Sequence, residues 1–311
     1  MFNKEIKEEF IQSAAQTNSN IVEYMERVFD RAEETEILIK KDMRDWNTAD
    51  IITFYKMQFY TSYSTLKVLN TMLSNYTEWC LRHNLVADSQ NHYDELSVKT
   101  LMSCVNTALA KTGIFTRKQL LANIEGFFNV SDKFLVLGLF EGLMGTGMSD
   151  FWNITSEDID GNKLNLKGSG RVLEVSDELI HFAYNSIDEF DYHPFVNTES
   201  DSTPKDKSFA VDDPRVIKAM WNTSVENDAI LRRRMMNRLA RLTRSDEQPY
   251  RRGLLMESGR IDAIKHYMKQ DECNDIRTVY KKHKDELEYR YNTVYDLGSW
   301  ILQYSSHFEQ A

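Results

Sequence analysis

The feature that most constrains the fold is a change in hydrophobic periodicity, from about 3.6 residues to two and back again. Residues 163–175 read KLNLKGSGRVLEV, so apolar and polar positions alternate on either side of Gly168-Ser169-Gly170. A second turn signal, Asp160-Gly161-Asn162, comes directly before this segment. Alternation bounded by glycine turns is typical of antiparallel strands. The sequence therefore predicts a mainly α fold with a small antiparallel β-sheet placed among the helices.

Helical periodicity runs through the first 130 residues. The predicted helices are amphipathic, and they lie at 20–44, from Thr48, from Ser62 or Ser64, at 96–111 and from Thr116, where Gln119 completes a capping box. The outer face of the helix at 20–44 is acidic. A plain helical bundle would explain these patterns equally well.

The second half begins with a strongly apolar helix. It starts at Ser131 with DKFLVLGLFEGLM and ends at the glycines of 145–147, after which Ser149-Asp150 can cap a short helix. Residues 191–214 are polar and contain prolines, which predicts a loop. From 215 the pattern is again helical.

Positive charge is concentrated in one window. Residues 230–260 hold nine arginines and three acidic residues, a net charge of +6 in a chain of net charge −10. A phosphate backbone responds to this local field, because salt screens charges beyond roughly 8–10 Å. The predicted helix here has a buried stripe of Leu231, Met235, Leu239 and Leu242, and an opposite row of Arg234, Arg238 and Arg241. A solvated arginine-rich helix would give the same pattern.

Composition excludes some classes of protein. With 311 residues and 41% hydrophobic residues, the chain suits a soluble protein of two domains. No apolar run approaches the roughly 18 residues that a membrane helix needs, and the N-terminus is charged. Cys80, Cys104 and Cys273 are widely spaced. We therefore expect no metal, no cofactor, no membrane partner and a reducing cytoplasmic location.

The order of these elements, together with several local strings, resembles the tyrosine-recombinase (phage-integrase) family over roughly residues 45–285. The stretch from Thr48 to Cys80 is similar to the family's core-binding domain, and TRKQLLANIEGFF is similar to the opening of its catalytic domain. The resemblance implies an N-terminal helical extension at 1–44, a core-binding-like helical domain at 45–111 and a catalytic-like domain at 112–311.

In that family a tyrosine attacks a DNA phosphodiester. Two arginines hold the phosphate oxygens, a lysine on a hairpin protonates the leaving oxygen, and histidines assist. The reason is electrostatic, since preorganised cations stabilise the negative charge that gathers on phosphorus in the transition state.

The motif positions of the family can be followed along this chain. Aligning backward from the end of MSDFWNITSEDID places the first arginine just before this segment, on Gly147, or on Met144 or Thr146 in a shifted register. The remaining positions are the hairpin lysine at Lys167, the HxxR motif at Gln248-Pro249-Tyr250-Arg251, the second histidine at Gln270 and the nucleophile at Tyr280. The residues after Arg251 are similar to the helix pair that follows this motif, with a shortened first helix. The first arginine and both histidines are thus missing.

This incomplete set of catalytic residues predicts DNA binding without DNA cleavage, because the loss of a single oxyanion donor costs about 10²–10³ in rate. The resemblance extends to recombinase-like repressors of temperate phages. It implies a sequence-specific transcriptional repressor that maintains lysogeny, binds a double-stranded DNA operator and is not an enzyme. We expect DNA contacts from Lys167, Arg171, Arg232, Arg233, Arg234, Arg238, Arg241, Arg251, Arg252, Thr65, Lys67, Arg117 and Lys118.

Two alternatives stay open. One is an active site-specific recombinase that uses Tyr280, which could also be an ordinary packed aromatic. The other is a DNA-independent scaffold that binds a regulatory protein or a second copy of itself through the acidic helix at 20–44 or the aromatic C-terminus. The C-terminal segment 285–308 has helical spacing interrupted near Gly298. It could dock on a neighbouring subunit, as in family members, or pack on its own domain.

Overall fold

The computed structural model describes residues 2–16, 21–58, 60–87, 89–106, 113–145, 148–193, 206–210, 212–219, 228–245, 250–292 and 297–308. The chain forms two compact units. Unit 1 comprises residues 1–110 and 298–305, and unit 2 comprises residues 111–297 and 306–311.

Unit 1 is helical. Its helices are α1 (Lys4–Ala15), α2 (Val22–Ile39), α3 (Thr48–Met57), α4 (Tyr63–Arg82) and α5 (Val98–Ser103). The starts of α2, α3 and α5 each differ from the predicted starts by one or two residues. The first turn of α3 is capped by Asn47 in a capping box with Asp50, so Thr48 is already inside the helix. The helix predicted over 96–111 is the shorter α5, and residues 107–112 lie outside the described residues.

One hydrophobic core holds unit 1 together. It extends from Phe10 to Val105 and includes the packed rings of Phe10, Phe29 and Tyr76. Because α1 and α2 supply part of this core, the structure has no boundary at residue 44, where the sequence suggested an N-terminal extension. The division between the units lies between 110 and 111, next to the predicted boundary at 111/112.

The last α-helix in the described part of the chain is α14 (Leu297–Tyr304). Its residues from Gly298 onward belong to unit 1, and a short 3₁₀ turn, Ser305–His307, follows. The helix therefore packs on the N-terminal unit of its own chain. The expectation that it would pack on its own, catalytic-like domain is wrong in this respect.

Unit 2 is built around α7 (Val130–Phe140), between α6 (Arg117–Glu125) and the short α8 (Ser149–Trp152). Nearly every side chain of α7 is buried, so this helix is central. The capping box predicted at Thr116 and Gln119 is confirmed. At α8 the N-cap is Met148, with φ 70°, rather than Ser149-Asp150.

The predicted sheet is confirmed. Strands β1 (Ile159–Asp160), β2 (Lys163–Leu166) and β3 (Arg171–Glu174) are antiparallel in the order β1-β2-β3. Leu164 of β2 lies opposite Leu173 of β3, and both are buried. The alternation in the sequence thus separates a buried face from an exposed one.

The rest of unit 2 consists of helices and a second, two-stranded sheet. The elements are α9 (Asp177–Ile187), β4 (Asp191–Tyr192), β5 (Lys207–Ser208), α10 (Asp228–Ser245), α11 (Arg252–Gln270), α12 (Ile276–Lys282) and α13 (Lys284–Tyr291). Part of the predicted loop at 191–214 therefore pairs as β4 and β5, while residues 194–205 and 211 lie outside the described residues.

The helix pair predicted after Arg251 is instead one continuous helix, α11. It packs on α7 so closely that a Cβ on Gly259 would lie 1.7 Å from the carbonyl oxygen of Phe140. Among the described residues, no helix combines the length and apolar character required to cross a bilayer.

Candidate functional site

The hairpin lysine is held by an acid. Lys167 follows β2, and its Nζ lies 2.7 Å from Oδ1 of Asp158, which is buried. Burial alone would raise the pKa of Asp158, but hydrogen bonds from Lys167 and Thr155 outweigh it and lower that pKa. The lysine side chain remains 52% exposed. It is a cation at the surface whose charge is partly balanced by its own protein.

Arg171, predicted to contact DNA, is a structural residue. Its guanidinium is buried and pairs with Asp150, with 2.7 Å between Nη2 and Oδ2. It also donates to the carbonyls of Gly142, Tyr289 and Arg290, of which the last two close the end of α13. With its donors used inside the protein, Arg171 is unsuited to hold a phosphate, and we correct that prediction.

A tight turn at Gly145 lies close to the position of the first catalytic arginine in the sequence. Gly147 and Thr146 lie outside the described residues, and Met144 donates its N–H to Asp150. Gly145 has φ 61°, and a Cβ there would lie 2.2 Å from Oγ of Ser149. This turn therefore requires glycine at 145.

Arg251 is exposed and occupies the N-cap position of α11. Arg252, the first residue of α11, is partly buried, and Gln248 lies outside the described residues. Gln270, at the family's second histidine position, is the exposed last residue of α11. Of these positions only Arg251 offers an exposed cation.

Tyr280, at the nucleophile position, lies inside unit 2. It is 3% exposed on α12. Burial, and then the carboxylate of Glu288, raise the pKa of Tyr280 above its ordinary value, while Arg260 opposes the shift. A nucleophilic phenol must reach its phosphorus and lose its proton, and this environment opposes both.

Helix α10 is fixed to unit 2 by a buried arginine. Nε of Arg238 lies 2.8 Å from Oδ1 of Asp132, and Nη2 donates to Ser131 at 2.5 Å. The guanidinium also lies over the ring of Tyr192, 4.5 Å from its centroid. Burial opposes the charge, but Asp132 outweighs it and raises the pKa of Arg238. The sequence wrongly placed Arg238 on the exposed face.

The exposed face of α10 is cationic. Arg233, Asn237 and Arg241 are exposed and spaced four residues apart, so they form one row about 12 Å long. Neither arginine forms an ion pair with any residue that the structure describes. Arg234 is half-buried, and burial lowers its pKa. The side chain of Arg232 lies outside the described residues.

The remaining predicted DNA contacts also include both paired and exposed side chains. In unit 2, Arg117 pairs with Glu141 at 2.9 Å and with Glu178 at 3.2 Å, whereas its neighbour Lys118 is exposed. Burial alone would lower the pKa of Arg117, but the two glutamates outweigh it and raise that pKa. In unit 1, Thr65 and Lys67 are exposed on the first two turns of α4.

Sequence reasoning missed Asn237, although its four-residue spacing from Arg233 and Arg241 was available. It also missed three acids that form ion pairs with predicted DNA-binding cations. These pairs are Asp132 with Arg238, Asp150 with Arg171 and Asp158 with Lys167. No sequence signal links these partners, which lie up to 106 residues apart.

Within the described part of the chain, no group of three or more His, Cys, Asp or Glu side chains could hold a metal ion. The cations that remain exposed are suited to phosphate oxygens, which accept charge-assisted hydrogen bonds from arginine and lysine. The exposed amide of Asn237 has the donor and acceptor that can pair with a base edge.

Comparison with known proteins identifies the family. Residues 114–295 match the family described as MrpR, C-terminal catalytic domain, and residues 1–82 match MrpR, N-terminal core-binding domain. This chain is a member of the MrpR family. The range matched by the core-binding model lies within unit 1, and the range matched by the catalytic-domain model lies within unit 2. This is the same order of domains that the tyrosine-recombinase resemblance predicted.

One curated protein and one solved structure are similar to this chain. The SPbeta prophage-derived protein YopR of Bacillus subtilis (strain 168) is 28% identical over 200 residues, which cover 62% of this chain and 60% of YopR. The chain thus matches less than two thirds of YopR's length. The Tn1549 transposon integrase, solved in complex with circular intermediate DNA, aligns with TM-score 0.50 and 13% identity over 99% of this chain and 98% of that one. This likeness shows that the fold is that of a tyrosine recombinase.

Proposed function

We propose that this MrpR-family protein is a sequence-specific DNA-binding repressor of prophage genes, and that it binds double-stranded DNA without cleaving it. The single observation that carries DNA binding is the exposed row Arg233–Asn237–Arg241 on a helix that Arg238 fixes rigidly to unit 2. No acidic residue occurs between 229 and 245. An acid-free cationic face on an acidic chain directs phosphate to one surface.

Four observations support binding without cleavage. The chain has no arginine at the first arginine position and no histidine at either histidine position. The ammonium group of Lys167 is already paired with Asp158 of its own protein. Tyr280 is buried with a raised pKa. The loss of one preorganised cationic donor alone slows such a reaction by about 10²–10³. The cations that remain can still bind phosphate.

The repressor role rests on resemblance. The relative YopR is prophage-derived, and the sequence resembles recombinase-like repressors of temperate phages. A protein that occupies an operator without breaking it blocks transcription by occupancy alone. Its specificity then comes from base contacts, while its phosphate contacts set orientation and salt dependence.

The test begins by selecting duplexes from a random library with the full-length protein. Binding of the selected duplex is then measured by fluorescence anisotropy between about 50 and 200 mM salt, against a scrambled duplex of equal length. We expect a steep salt dependence and a preference of at least about 10³ for the selected sequence. Equal affinity for both duplexes would contradict sequence-specific binding, and absence of binding at low salt would favour a DNA-independent scaffold.

A further inference from the structure

Helix α14 belongs to unit 1, although about 190 residues separate it from the rest of that unit. Its ring pair Trp300 and Tyr304 is buried, with centroids 5.4 Å apart. Gln303 is also buried, with 7% of its surface exposed. A buried amide must find partners, because an unpaired one costs free energy.

Gln303 finds those partners at the beginning of α4. Its Oε1 accepts the N–H of Tyr63 at 3.3 Å, and its Nε2 donates to the carbonyl of Thr61 at 2.9 Å and to the hydroxyl of Tyr304 at 2.9 Å. The amide thus bridges the two backbone groups on either side of Ser62. It uses both of its donors and one acceptor position.

This contact replaces a helix cap. The N–H groups in the first turn of a helix lack partners within the helix, and a side chain at the N-cap normally accepts one. Ser62, the N-cap residue of α4, makes no such bond, and its hydroxyl pairs with that of Ser64 instead. Another N–H of this first turn, that of Tyr63, finds its acceptor in Gln303, 240 residues along the chain.

The capped first turn carries one predicted DNA contact and leads directly into the turn that carries another. Thr65 is the third residue of α4 and Lys67 the fifth, and both are exposed. An uncapped helix end frays, and a frayed turn must be ordered again before its side chains can contact a phosphate. The order of this turn therefore depends on α14.

Helix α14 is also suited to detach. Its eight residues are too few for a helix to persist alone in water. It stays docked because it is tethered to its site, which gives it a high effective concentration there. Because α14 is short and tethered, it can detach from unit 1 while the rest of that unit stays folded.

We propose that α14 is a C-terminal clasp that controls DNA binding through the first turn of α4: docked, it orders Thr65 and Lys67 for contact, and released, it weakens the complex. The proposal rests on the proposed function, since it concerns the same DNA interface. It adds a regulatory element that includes none of the recombinase-type positions.

The test uses two full-length variants that release α14 by different means. Gln303→Met keeps the side-chain length but removes the amide, and Trp300→Ala removes buried ring contacts. Gln12→Leu, at an exposed glutamine of α1, is the matched control. Hydrogen exchange of peptides covering 61–67 reports docking, and anisotropy with the duplex selected by the parent protein reports binding.

We expect both variants to speed exchange at 61–67 and to weaken DNA binding by roughly fivefold, as for a lost cap, while Gln12→Leu changes neither. In a Thr65→Ala/Lys67→Ala background, Gln303→Met should cause no further loss of affinity. Faster exchange with unchanged affinity would overturn the control of DNA binding, and unchanged exchange would overturn the docking. If the parent protein selects no duplex, the proposed function itself fails, whereas the exchange result still reports on the clasp.

Discussion

Arg238 and Asp132 form a buried ion pair, with 2.8 Å between Nε and Oδ1, that joins the middle of α10 to the first turn of α7. The pair explains why an arginine-rich helix can present only part of its charge. Arg238 is buried inside unit 2, whereas Arg233 and Arg241 on the opposite side of α10 are exposed. The stability of unit 2 and the binding of phosphate are therefore carried by different arginines of one helix.

Replacing Arg238 with Met should destabilise the protein by about 3–5 kcal/mol, because it leaves the Asp132 carboxylate buried without its cation. Urea unfolding followed by circular dichroism measures this change. The matched variant Arg241→Met, three residues away and exposed, should change the free energy of unfolding by less than about 0.5 kcal/mol. A similar loss in both variants would contradict the assignment of Arg238 as the anchor.

The double variant Arg233→Ala/Arg241→Ala should weaken DNA binding and lower the slope of log affinity against log salt by about 2, one for each lost phosphate contact. Anisotropy over a salt series provides the slope. Lys99→Ala, which removes an exposed cation of unit 1, serves as the control and should leave the slope unchanged. If both variants keep the parent slope, the DNA interface lies elsewhere.

Arg171 and Arg251 should behave in opposite ways. Arg171→Met loses a buried ion pair and several carbonyl contacts, so we expect a loss of about 3–5 kcal/mol in stability. Arg251→Ala, at an exposed position, should leave stability unchanged but weaken binding of the selected duplex. Unfolding curves and anisotropy on the same preparations separate these effects. An unstable Arg251→Ala or a fully stable Arg171→Met would refute the corresponding assignment.

Unit 1 should lose stability as pH rises through the range below neutrality. Lys7 and Glu36 are both buried, and Nζ of Lys7 lies 2.7 Å from Oε1 of Glu36. Burial raises the pKa of Glu36 from 4.5 to about 7, although Lys7 opposes the shift. Between these values the folded protein holds a proton that the unfolded chain has lost, so the free energy of unfolding falls as pH increases.

We expect a decrease on the order of 1–3 kcal/mol between pH 4.5 and about 7, measured by thermal or urea unfolding. Glu36→Gln should flatten this dependence, whereas Glu26→Gln, at an exposed position of the same helix, should keep it. A dependence that rises over this window in the parent protein would contradict the assigned sign.

Local sequence patterns were enough to predict much of the fold. The capping box at Thr116 and the alternation of β2 and β3 depend on neighbouring residues, so the sequence alone was enough to predict them. The continuous helix α11 was not predicted, because the expected break was taken from the family pattern. What keeps α11 continuous is its packing on α7, where Gly259 meets Phe140. That contact is distant in sequence.

The candidate site was predictable only in outline. The cationic window and the missing histidines are visible in the sequence. Whether a given cation is exposed or paired inside the protein depends on acids elsewhere in the chain. Arg238 lies in the same cationic window as Arg233, yet it is buried and paired with Asp132. Arg171, on the hairpin, is likewise buried and paired with Asp150. Likewise, nothing near Gln303 indicates that its amide caps α4.

The central claim is that a recombinase-type site holds DNA without cutting it. The most direct measurement incubates the full-length protein with supercoiled plasmid that contains the selected duplex, then resolves nicked circles and covalent protein–DNA adducts after denaturation. The account predicts tight, salt-dependent binding with no nicked product and no adduct. A covalent adduct that forms with the parent protein and disappears in Tyr280→Phe would contradict it.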